Sequence, residues 1–427
     1  MITVQEHLAS ILGQIRPAAP ATLPLEEAHG LVTTEDVVSA VDLPRFDNSA
    51  MDGYAVRSEE VSAAGAESPL LLVVNGDIRA GDTTPHQHVP GRVWRIMTGA
   101  PLPEGADAVV KVEDTDGHPR EVQIRAAVEP GTAVRRAGED VRAGDVVVPA
   151  GTRLGPAQLA VVASVGVTHV RVRPPVRVAV LSTGDELVRP DEAVRTGQIV
   201  DSNTPMLVAA VRDAGHYAVH AGHLGDDEKQ VRDELMRHTE TADAVITTGG
   251  VSKGAYDPVK AALDGEGSMA FTEVAMQPGK PQGFGLLGRR KVPVFTLPGN
   301  PVSALVSFEV FVRPALARLA GRPYRRVETT ALVARGWKGS EGREQYARVR
   351  MSRDALGGYA VEPSGGAGSH LLGGLAGADA LAVVPADTGE VTAGSTLTVL
   401  PLRPLSDIDA VLEEQEARAD AEEGSGG

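Results

Sequence analysis

Cysteine is absent from this 427-residue chain, and aromatic residues make up only 3% of it. Without cysteine the chain can form neither disulfides nor iron–sulfur clusters nor thiolate zinc sites. No apolar run approaches the roughly 18 residues that a membrane-spanning helix needs, and the N-terminal MITVQEHLASIL lacks the basic start of a signal peptide. We therefore expect a cytoplasmic protein that does not enter a membrane.

Positive charge is also scarce, since 41 Lys and Arg stand against 57 Asp and Glu, for a formal net charge of −16. So acidic a chain is unsuited to nonspecific nucleic-acid binding, which needs basic surfaces. Part of the excess is local, because residues 405–427 hold eight carboxylates and a single arginine. We expect this end to be a solvated acidic tail that is disordered, with a frayed helix as the alternative.

The order of apolar runs and turns predicts an α/β multidomain protein. Between residues 176 and 321, short apolar runs alternate with helical patterns, which is typical of βαβ units and a parallel sheet. Residues 46–137 and 322–404 instead alternate short apolar runs with Gly- and Pro-rich turns. These two stretches predict a small β domain and a C-terminal β barrel.

The most informative stretch is residues 292–314, VPVFTLPGNPVSALVSFEVFVRP. It predicts a buried strand, a tight turn and a helix that Asn300 can cap, with Pro301 in the first turn. In open α/β sheets ligands bind at the carboxyl ends of the strands, and helix N-termini favour anions. Taken alone, the stretch is equally compatible with an ordinary βα turn.

Four predicted strands of the central domain end in glycine-rich or acidic loops, which should open on one edge of the sheet. Glycines let backbone N–H groups approach a phosphate closely. Carboxylates in the same crevice, Asp226 and Asp257, would repel a phosphate unless a cation such as Mg²⁺ lay between them. A single Asp in a turn can also be a plain turn former or helix cap. The loops match neither a Walker P-loop nor a dinucleotide fingerprint, so they predict a phosphate-like ligand without naming it. They are STGDE (182–186), GDD (225–227), TTGGVSKG (247–254) and PGNP (298–301).

Several long motifs resemble the molybdopterin molybdenumtransferase family, which includes MoeA and the gephyrin E-domain. The resemblance covers about residues 2–403, in the family's order and spacing. It is carried by TTGGVSKGAYDPVK (247–260), LPGNPVSALVSFEVFVRPAL (297–316), FDNSAMDGYAVR (46–57), RIMTGAPLPEGADAVVKVED (95–114) and VAVLSTGDEL (178–187).

The resemblance implies a domain plan and an activity. It implies Mg²⁺-dependent cleavage of adenylylated molybdopterin, insertion of molybdenum from molybdate, and release of AMP. It also implies a homodimer with its active site between chains, and a molybdopterin adenylyltransferase as pathway partner. The implied domains are an elongated dimerisation region (1–45 and 138–175), the small β domain, a molybdopterin- and nucleotide-binding α/β domain (176–321) and the barrel.

The resemblance also implies roles for individual residues. The catalytic positions include two, Asp52 and Thr98, that reach in from the partner subunit. The full set comprises the catalytic Asp52, Thr98, Asp140 and Glu186; the Mg²⁺ ligands Asp226 and Asp257; the phosphate loop Gly249, Gly250 and Ser252; the turn residues Pro298, Asn300 and Pro301; Lys280 and Pro281 beside molybdate; and the anion-binding Arg348 and Ser369.

The chain departs from the family pattern at a few positions. Gln277 stands where many relatives have Lys, so one cation for the anionic substrate is missing, and Lys253 is a candidate replacement. His370 stands where Arg is usual. Two other interpretations stay open: a gephyrin-like scaffold without catalysis, and a paralogue acting on another pathway step or metal. The carboxylates that catalysis needs are all present, which favours the enzyme.

Overall fold

The computed structural model describes residues 1–250, 258–263 and 265–424. The chain forms two compact units, one of Pro20–Val172 and one of Met1–Ala19 with Arg173–Gly427. Among the helices in the described part of the chain, none is long and apolar enough to cross a bilayer.

Helix α1 (Val4–Gln14) begins at a capping box, in which the Thr3 side chain accepts from the Glu6 N–H and the Glu6 carboxylate accepts from the Thr3 N–H. Its apolar stripe, with Val4 and Ile11, is buried in the core of the unit that contains residues 173–427. The sequence analysis assigned this segment to the dimerisation region. Within one chain the structure packs this helix with residues 173–427, because its apolar stripe is buried there.

The unit Pro20–Val172 contains short strands and one sizeable helix. A five-stranded sheet in the order β8-β5-β7-β6-β9 forms the small β domain, with Tyr54, Ile78 and Ile96 fully buried. A second sheet, β1-β12-β2, packs with α2 around Leu154 and Val162. The elements are β1 (Ala21–Pro24), β2 (Val32–Thr33), β3 (Val37–Val38), β4 (Asn48–Ser49), β5 (Gly53–Val56), β6 (Leu70–Ile78), β7 (Arg92–Ile96), β8 (Ala108–Lys111), β9 (Glu121–Ile124), β10 (Val134–Arg135), β11 (Val146–Val148), α2 (Pro156–Ser164) and β12 (His169–Arg173).

The central domain is built on a six-stranded sheet in the order β16-β13-β17-β21-β20-β18. Its first four strands are parallel, and the β20–β21 and β18–β20 pairs are antiparallel. The elements are β13 (Arg177–Thr183), β14 (Leu187–Val188), β15 (Ile199–Val200), α3 (Asn203–Asp213), β16 (Tyr217–Leu224), α4 (Glu228–Thr241), β17 (Ala244–Thr248), α5 (Pro258–Leu263), β18 (Ala270–Glu273), β19 (Met276–Gln277), β20 (Pro281–Leu287), β21 (Val292–Leu297), α6 (Pro301–Ser307), a π-helical turn (Phe308–Val312) and α7 (Arg313–Leu319).

Strand β13 shows why this sheet lies in the middle of the domain. Successive side chains point to opposite faces, so Val178 and Val180 enter one hydrophobic core while Ala179 and Leu181 enter another. Burial on both faces explains the near-continuous apolar run of VAVL. The four parallel strands lie side by side as β16, β13, β17 and β21, which is the order 2-1-3-4 when they are numbered along the chain. The connection from β13 and the connection from β17 therefore lead away in opposite directions, and the switch point lies between these two strands. Ligands of such sheets bind at this switch point.

The C-terminal domain is a closed barrel, as predicted. Strands follow the order β24-β25-β22-β28-β26, and β26 pairs back onto β24. Strand β19 of the central domain adds to β24 in parallel. The elements are β22 (Thr329–Val333), β23 (Trp337–Lys338), β24 (Glu344–Arg353), β25 (Tyr359–Pro363), α8 (Leu372–Ala376), β26 (Ala380–Val384), β27 (Glu390–Val391), β28 (Thr396–Pro401) and α9 (Leu405–Gly424).

Helix α9 corrects the prediction of a disordered tail over residues 405–427, since residues 405–424 are helical. Its first turns bury Ile408 and Leu412 in the barrel core. The Asp409 carboxylate accepts hydrogen bonds from Arg353 and from the Tyr359 hydroxyl, each at 2.7 Å. The many carboxylates of this segment favoured the prediction of disorder, although Ile408 and Leu412 are apolar and lie one helical turn apart on the same face.

Candidate active site

Glycines bring three loops together at the switch point. A Cβ on Gly249, whose φ is +86°, would lie 2.5 Å from the Thr183 carbonyl oxygen. A Cβ on Gly299 would lie 3.4 Å from the Gly249 Cα. The Gly249 N–H also donates to the Leu297 carbonyl at 3.2 Å. Only glycine at position 249 therefore lets the ends of β13, β17 and β21 meet this closely.

A buried polar network lies directly beneath these loops. The Ser182 hydroxyl is 2.7 Å from the Thr204 hydroxyl and 3.1 Å from the Thr248 hydroxyl. The buried Asp201 carboxylate accepts from Ser182 at 3.1 Å and from the Thr204 hydroxyl at 2.6 Å. It also accepts from the backbone N–H groups of Asn203 and Thr204. These hydrogen bonds compensate the buried charge and fix the start of α3 against β13.

Asn203 joins this network to the PGNP turn. Its Nδ2 donates to the Gly299 carbonyl at 2.7 Å. Its Oδ1 is buried and has no hydrogen-bond partner among the described residues. A buried acceptor left without a donor is costly to stability.

Two predicted acidic residues lie at the end of β13 and its neighbour β16. The Glu186 carboxylate folds back over Gly184, where a Cβ would come 2.5 Å from Oε2. The Asp185 carboxylate accepts from the Asp226 N–H at 3.0 Å, so it ties the exposed Asp226 to the β13 loop. The next residue, Asp227, caps α4 by accepting from the Gln230 N–H at 2.7 Å. Glu186 and Asp226 thus flank the same strand ends.

Three residues named from the sequence, Ser252, Lys253 and Asp257, lie outside the described residues. Gly250, the last described residue before them, has a φ of +69° and lies against Val259, whose Cγ2 would be 2.5 Å from an added Cβ.

The PGNP turn is built much as the sequence predicts. Pro298 follows the last residue of β21, and Pro301 is the first residue of α6. Asn300 occupies the cap position, but its side chain does not cap the helix. Its Nδ2 donates instead to the Ser369 hydroxyl at 2.9 Å, and the Val302 N–H donates to the Ser369 carbonyl at 3.1 Å. The capping prediction was therefore wrong for the side chain, because a tertiary partner competes for it.

Arg348 holds the loop that carries Ser369. The side chain is buried, and its guanidinium donates to the carbonyls of Gly366, Gly368 and Leu371. Burial lowers the pKa of Arg348 from its ordinary value. The described residues give this guanidinium no carboxylate partner, so its charge is compensated there by backbone carbonyls alone.

Lys280 and Gln277 lie in the QPGKP segment that leads into β20, which begins at Pro281. The Lys280 ammonium is 3.1 Å from the Glu273 carboxylate, and both side chains are partly exposed. The Gln277 Oε1 accepts from the Arg343 guanidinium at 3.0 Å. Arg343 therefore brings a cation to the position where the sequence analysis found one missing.

The unit Pro20–Val172 carries the remaining predicted residues. Strands β5 and β7 pair antiparallel with Gly53 opposite Ile96, which places Asp52 and Thr98 side by side at their ends. The Asp52 Oδ1 accepts from the Thr98 N–H at 2.7 Å and from its hydroxyl at 2.8 Å. These two bonds lower the pKa of Asp52 from its ordinary value. Asp140 is exposed, and its N–H donates to the Leu43 carbonyl.

Sequence reasoning missed four residues that shape the site. Asp201 and Asn203 lie in the segment GQIVDSNTPML, but neither was singled out because buried polar groups cannot be told from surface ones along a sequence. Asp185 was not predicted, because the resemblance assigned the acidic role in this loop to its neighbour Glu186. No sequence pattern indicated Arg343, because it contacts Gln277 from 66 residues away in the chain.

Comparison with known proteins gives consistent matches along the chain. Three family models match: "MoeA N-terminal region (domain I and II)" over residues 2–166, "Probable molybdopterin binding domain" over residues 179–318, and "MoeA C-terminal region (domain IV)" over residues 330–402. Molybdopterin molybdenumtransferase 2 of Mycobacterium tuberculosis is 45% identical over 410 residues, covering 94% of this chain and 100% of that protein. The molybdopterin molybdenumtransferase of Haemophilus influenzae is 35% identical, covering 95% and 100%. The crystal structure of the MoeA protein from Pyrococcus horikosii aligns with a TM-score of 0.80 at 29% identity, covering 95% of this chain and 100% of that one.

Proposed function

This chain belongs to the molybdopterin molybdenumtransferase family, and we propose that it inserts molybdenum into molybdopterin during molybdenum cofactor biosynthesis. The observation that carries the proposal is the switch point of the central sheet, where three glycine-turned loops meet above a buried polar network. Crevices of this kind bind phosphorylated ligands in open α/β sheets.

We propose adenylylated molybdopterin and molybdate as substrates, with AMP as a product. The glycines at positions 249 and 250 let backbone groups approach a phosphate. Arg348, which has no carboxylate partner among the described residues, and the nearby Ser369 suit an anion at the PGNP turn. Phosphate and molybdate are the two anions that this reaction brings together.

We propose Mg²⁺ as the metal of the phosphate site. The exposed Asp226 supplies a hard oxygen ligand at the strand edge, and Asp257 is the second candidate. Mg²⁺ usually takes one or two carboxylates and completes its shell with water and phosphate oxygens, so this donor set fits. When bound, the ion would neutralise phosphate charge as the anhydride bond breaks. Asp185 would position Asp226 through its 3.0 Å hydrogen bond.

We further propose that the protein is a cytoplasmic homodimer, in which Asp52 and Thr98 of one chain serve the switch-point site of the other, and that Asp140 is a further acidic residue needed for activity. The support is chemical. Asp52 is a carboxylate whose lowered pKa keeps it charged, and its exposed position leaves it open to a ligand. A molybdopterin adenylyltransferase is the partner that would supply the substrate. Neither nucleic acid nor a membrane is expected as a partner.

The test is AMP release from adenylylated molybdopterin with molybdate and Mg²⁺, followed by chromatography. We expect AMP and molybdenum-loaded molybdopterin to form together and to require both additions. A scaffold would bind molybdopterin without releasing AMP, and an adenylylating paralogue would consume ATP. Release of AMP with tungstate but not molybdate would assign the other metal.

A further inference from the structure

A polar cavity of about 300 Å³ lies between helix α3 and strand β16, and the chain that follows β14 closes one side of it. Four side chains with nitrogen donors line it, which are Arg189, Arg212, His220 and His223. Strand β16 is the edge of the sheet, whereas the switch point lies between β13 and β17. The cavity therefore lies outside the crevice of the candidate active site.

A β-bulge in β16 places both histidines on one face of the sheet. Val180 on β13 is paired with His220. Ser182, two residues further along β13, is paired with His223, so one residue of β13 stands opposite two of β16. Gly222 in the bulge has a φ of +97°, which glycine adopts without strain. In an unbroken strand residues 220 and 223 would point to opposite faces. Because Val180 packs in the same core as α3, both histidines lie on the α3 side.

The charges around the cavity favour an anion. The Arg212 side chain has neither a hydrogen bond nor an ion pair within the part of the chain that the structure describes. Arg189 shares its charge with Asp191 and Glu192, which are 3.3 and 3.1 Å from its Nε. The buried Asp201 carboxylate also lines the cavity, but two hydroxyls and two backbone N–H groups already donate to it. Its charge is therefore compensated before an anion arrives.

The chemistry of the lining suits a phosphate group that carries a small organic substituent. Guanidinium and imidazole N–H groups donate hydrogen bonds to phosphate oxygens. Two imidazoles can also hold a transition metal, but the described residues contain no group of three His, Cys, Asp or Glu placed to do so. The volume equals that of about ten waters, at about 30 Å³ each, and Pro190, Pro205 and Val208 add apolar walls. Free phosphate would leave much of this space and these walls unused.

We propose that Arg212, His220 and His223 bind the phosphate group of a small phosphomonoester in this cavity. The proposal does not depend on the proposed function, since none of these three residues belongs to the switch-point site. Strand β16 continues from His223 into the loop of Asp226. A bound phosphomonoester would therefore hold the strand end that leads to this carboxylate.

The experiment follows histidine ring signals by NMR, in protein labelled at the histidine Cε1, while phenyl phosphate is added. The signals of His220 and His223 are assigned as those missing from His220→Ala and from His223→Ala. We expect both signals to shift and to reach saturation. Inorganic phosphate, titrated in parallel, should bind more weakly because it cannot use the apolar walls. Equal or tighter binding of inorganic phosphate would overturn the assignment to a phosphomonoester.

Calorimetry on variants tests which side chains hold the ligand. Arg212→Ala should weaken the binding of phenyl phosphate at least about tenfold, because a hydrogen bond between charged groups is lost. The double variant His220→Ala and His223→Ala should weaken it as well, and all three side chains are exposed, so these variants should fold. Arg237→Ala is the matched control and should bind like the wild type. It removes an exposed arginine from α4, which packs on the opposite face of the sheet.

Three results would overturn the site. The first is that the two histidine signals do not move at millimolar phenyl phosphate. The second is that affinity is unchanged in Arg212→Ala and in the double histidine variant, which would place the ligand elsewhere, for example at the switch point. The third is that Zn²⁺ moves the same two signals while neither phosphate compound does, which would assign the histidine pair to a metal.

Discussion

Thr98 donates both its backbone N–H and its hydroxyl to a single oxygen of Asp52, at 2.7 and 2.8 Å. Two donors on one oxygen stabilise the carboxylate over the acid, which lowers the pKa of Asp52. The carboxylate therefore stays charged to a lower pH than an ordinary aspartate does. The pairing follows from the register of β5 and β7, although the two residues are 46 positions apart.

Asp52→Asn should reduce turnover by at least about tenfold and leave the melting temperature within a few degrees, because Asn keeps the shape and loses the charge. Thr98→Val removes one of the two donors and should have a smaller effect in the same direction. The control is Asp47→Asn, on the other side of β4, whose carboxylate accepts from the Ala137 N–H and from Arg136 instead. If Asp47→Asn and Asp52→Asn lose the same activity, then Asp52 has a structural role and no catalytic one.

The neighbouring residues Asp226 and Asp227 should differ in how their substitution by Asn affects the Mg²⁺ requirement of turnover. Asp226→Asn removes a proposed Mg²⁺ ligand, so the Mg²⁺ concentration for half-maximal turnover should rise several-fold. Asp227→Asn should leave turnover unchanged, because Asn caps a helix about as well as Asp does. Magnesium titrations of both variants, with melting curves, decide between them. Identical titrations would remove Asp226 from the metal site.

Lys280 pairs with Glu273, which allows its proposed anion role to be separated from that ion pair. Lys280→Ala should raise the molybdate concentration needed for half-maximal turnover. Glu273→Gln breaks the same ion pair but keeps the cation, so it should leave that requirement unchanged or lower it. A half-exposed ion pair contributes little to stability, at most about 1 kcal/mol. If both variants raise the molybdate requirement equally, then Lys280 acts through its ion pair with Glu273 and does not bind an anion.

Periodicity predicted the domain types well, because burial imposes it directly. The apolar run VAVL of β13 and the turn PGNP before α6 have the physical form that the sequence indicated. The stripe of residues 2–16 indicated that one face of α1 is buried, but an amphipathic pattern does not show which elements that face packs against. The prediction of a disordered tail was wrong because the high charge density of residues 405–427 was given more weight than the two apolar residues, Ile408 and Leu412, that anchor the helix.

The site was less predictable than the fold. Glycine and carboxylate positions at strand ends follow from sheet geometry, so the switch-point loops could be located. The hydrogen bond from Asn300 to Ser369 and the contact from Arg343 to Gln277 join segments 69 and 66 residues apart. Such pairings depend on how the barrel packs against the central sheet, and no local pattern encodes them.

Removal of α9 should destabilise the barrel. A chain ending at Pro404 exposes the sites that Ile408 and Leu412 fill, and burying each such side chain is worth about 1.5–3 kcal/mol. It also removes the Asp409 partner of Arg353 and Tyr359. A chain ending at residue 414 keeps these anchors and serves as the control. Melting curves should show a clear drop for the shorter chain only; equal melting temperatures would make the anchoring incidental.

Two buried histidines should make the protein lose stability in mild acid. Burial lowers the pKa of His7, which lies edge-on to Phe311 at 4.8 Å, to about 4. Burial also lowers the pKa of His216 to about 4, with a contribution from Arg322 and Arg313. The unfolded chain binds these protons near pH 6.5, before the folded chain does. Stability therefore falls as the pH drops from about 6.5 to 4 and stops falling through these groups below 4, by up to about 3 kcal/mol for each histidine.

Urea unfolding followed at pH 7, 6, 5 and 4.5 measures this loss as a falling midpoint. The double variant His7→Gln and His216→Gln carries no group that titrates in this range at these positions, so its midpoint should fall less steeply. His29→Gln, at an exposed histidine, is the matched control and should keep the wild-type slope. A slope unchanged in the double variant would show that the acid sensitivity arises from carboxylates instead, since a carboxylate of lowered pKa such as Asp47 also loses its stabilising contribution as the pH falls through its folded pKa.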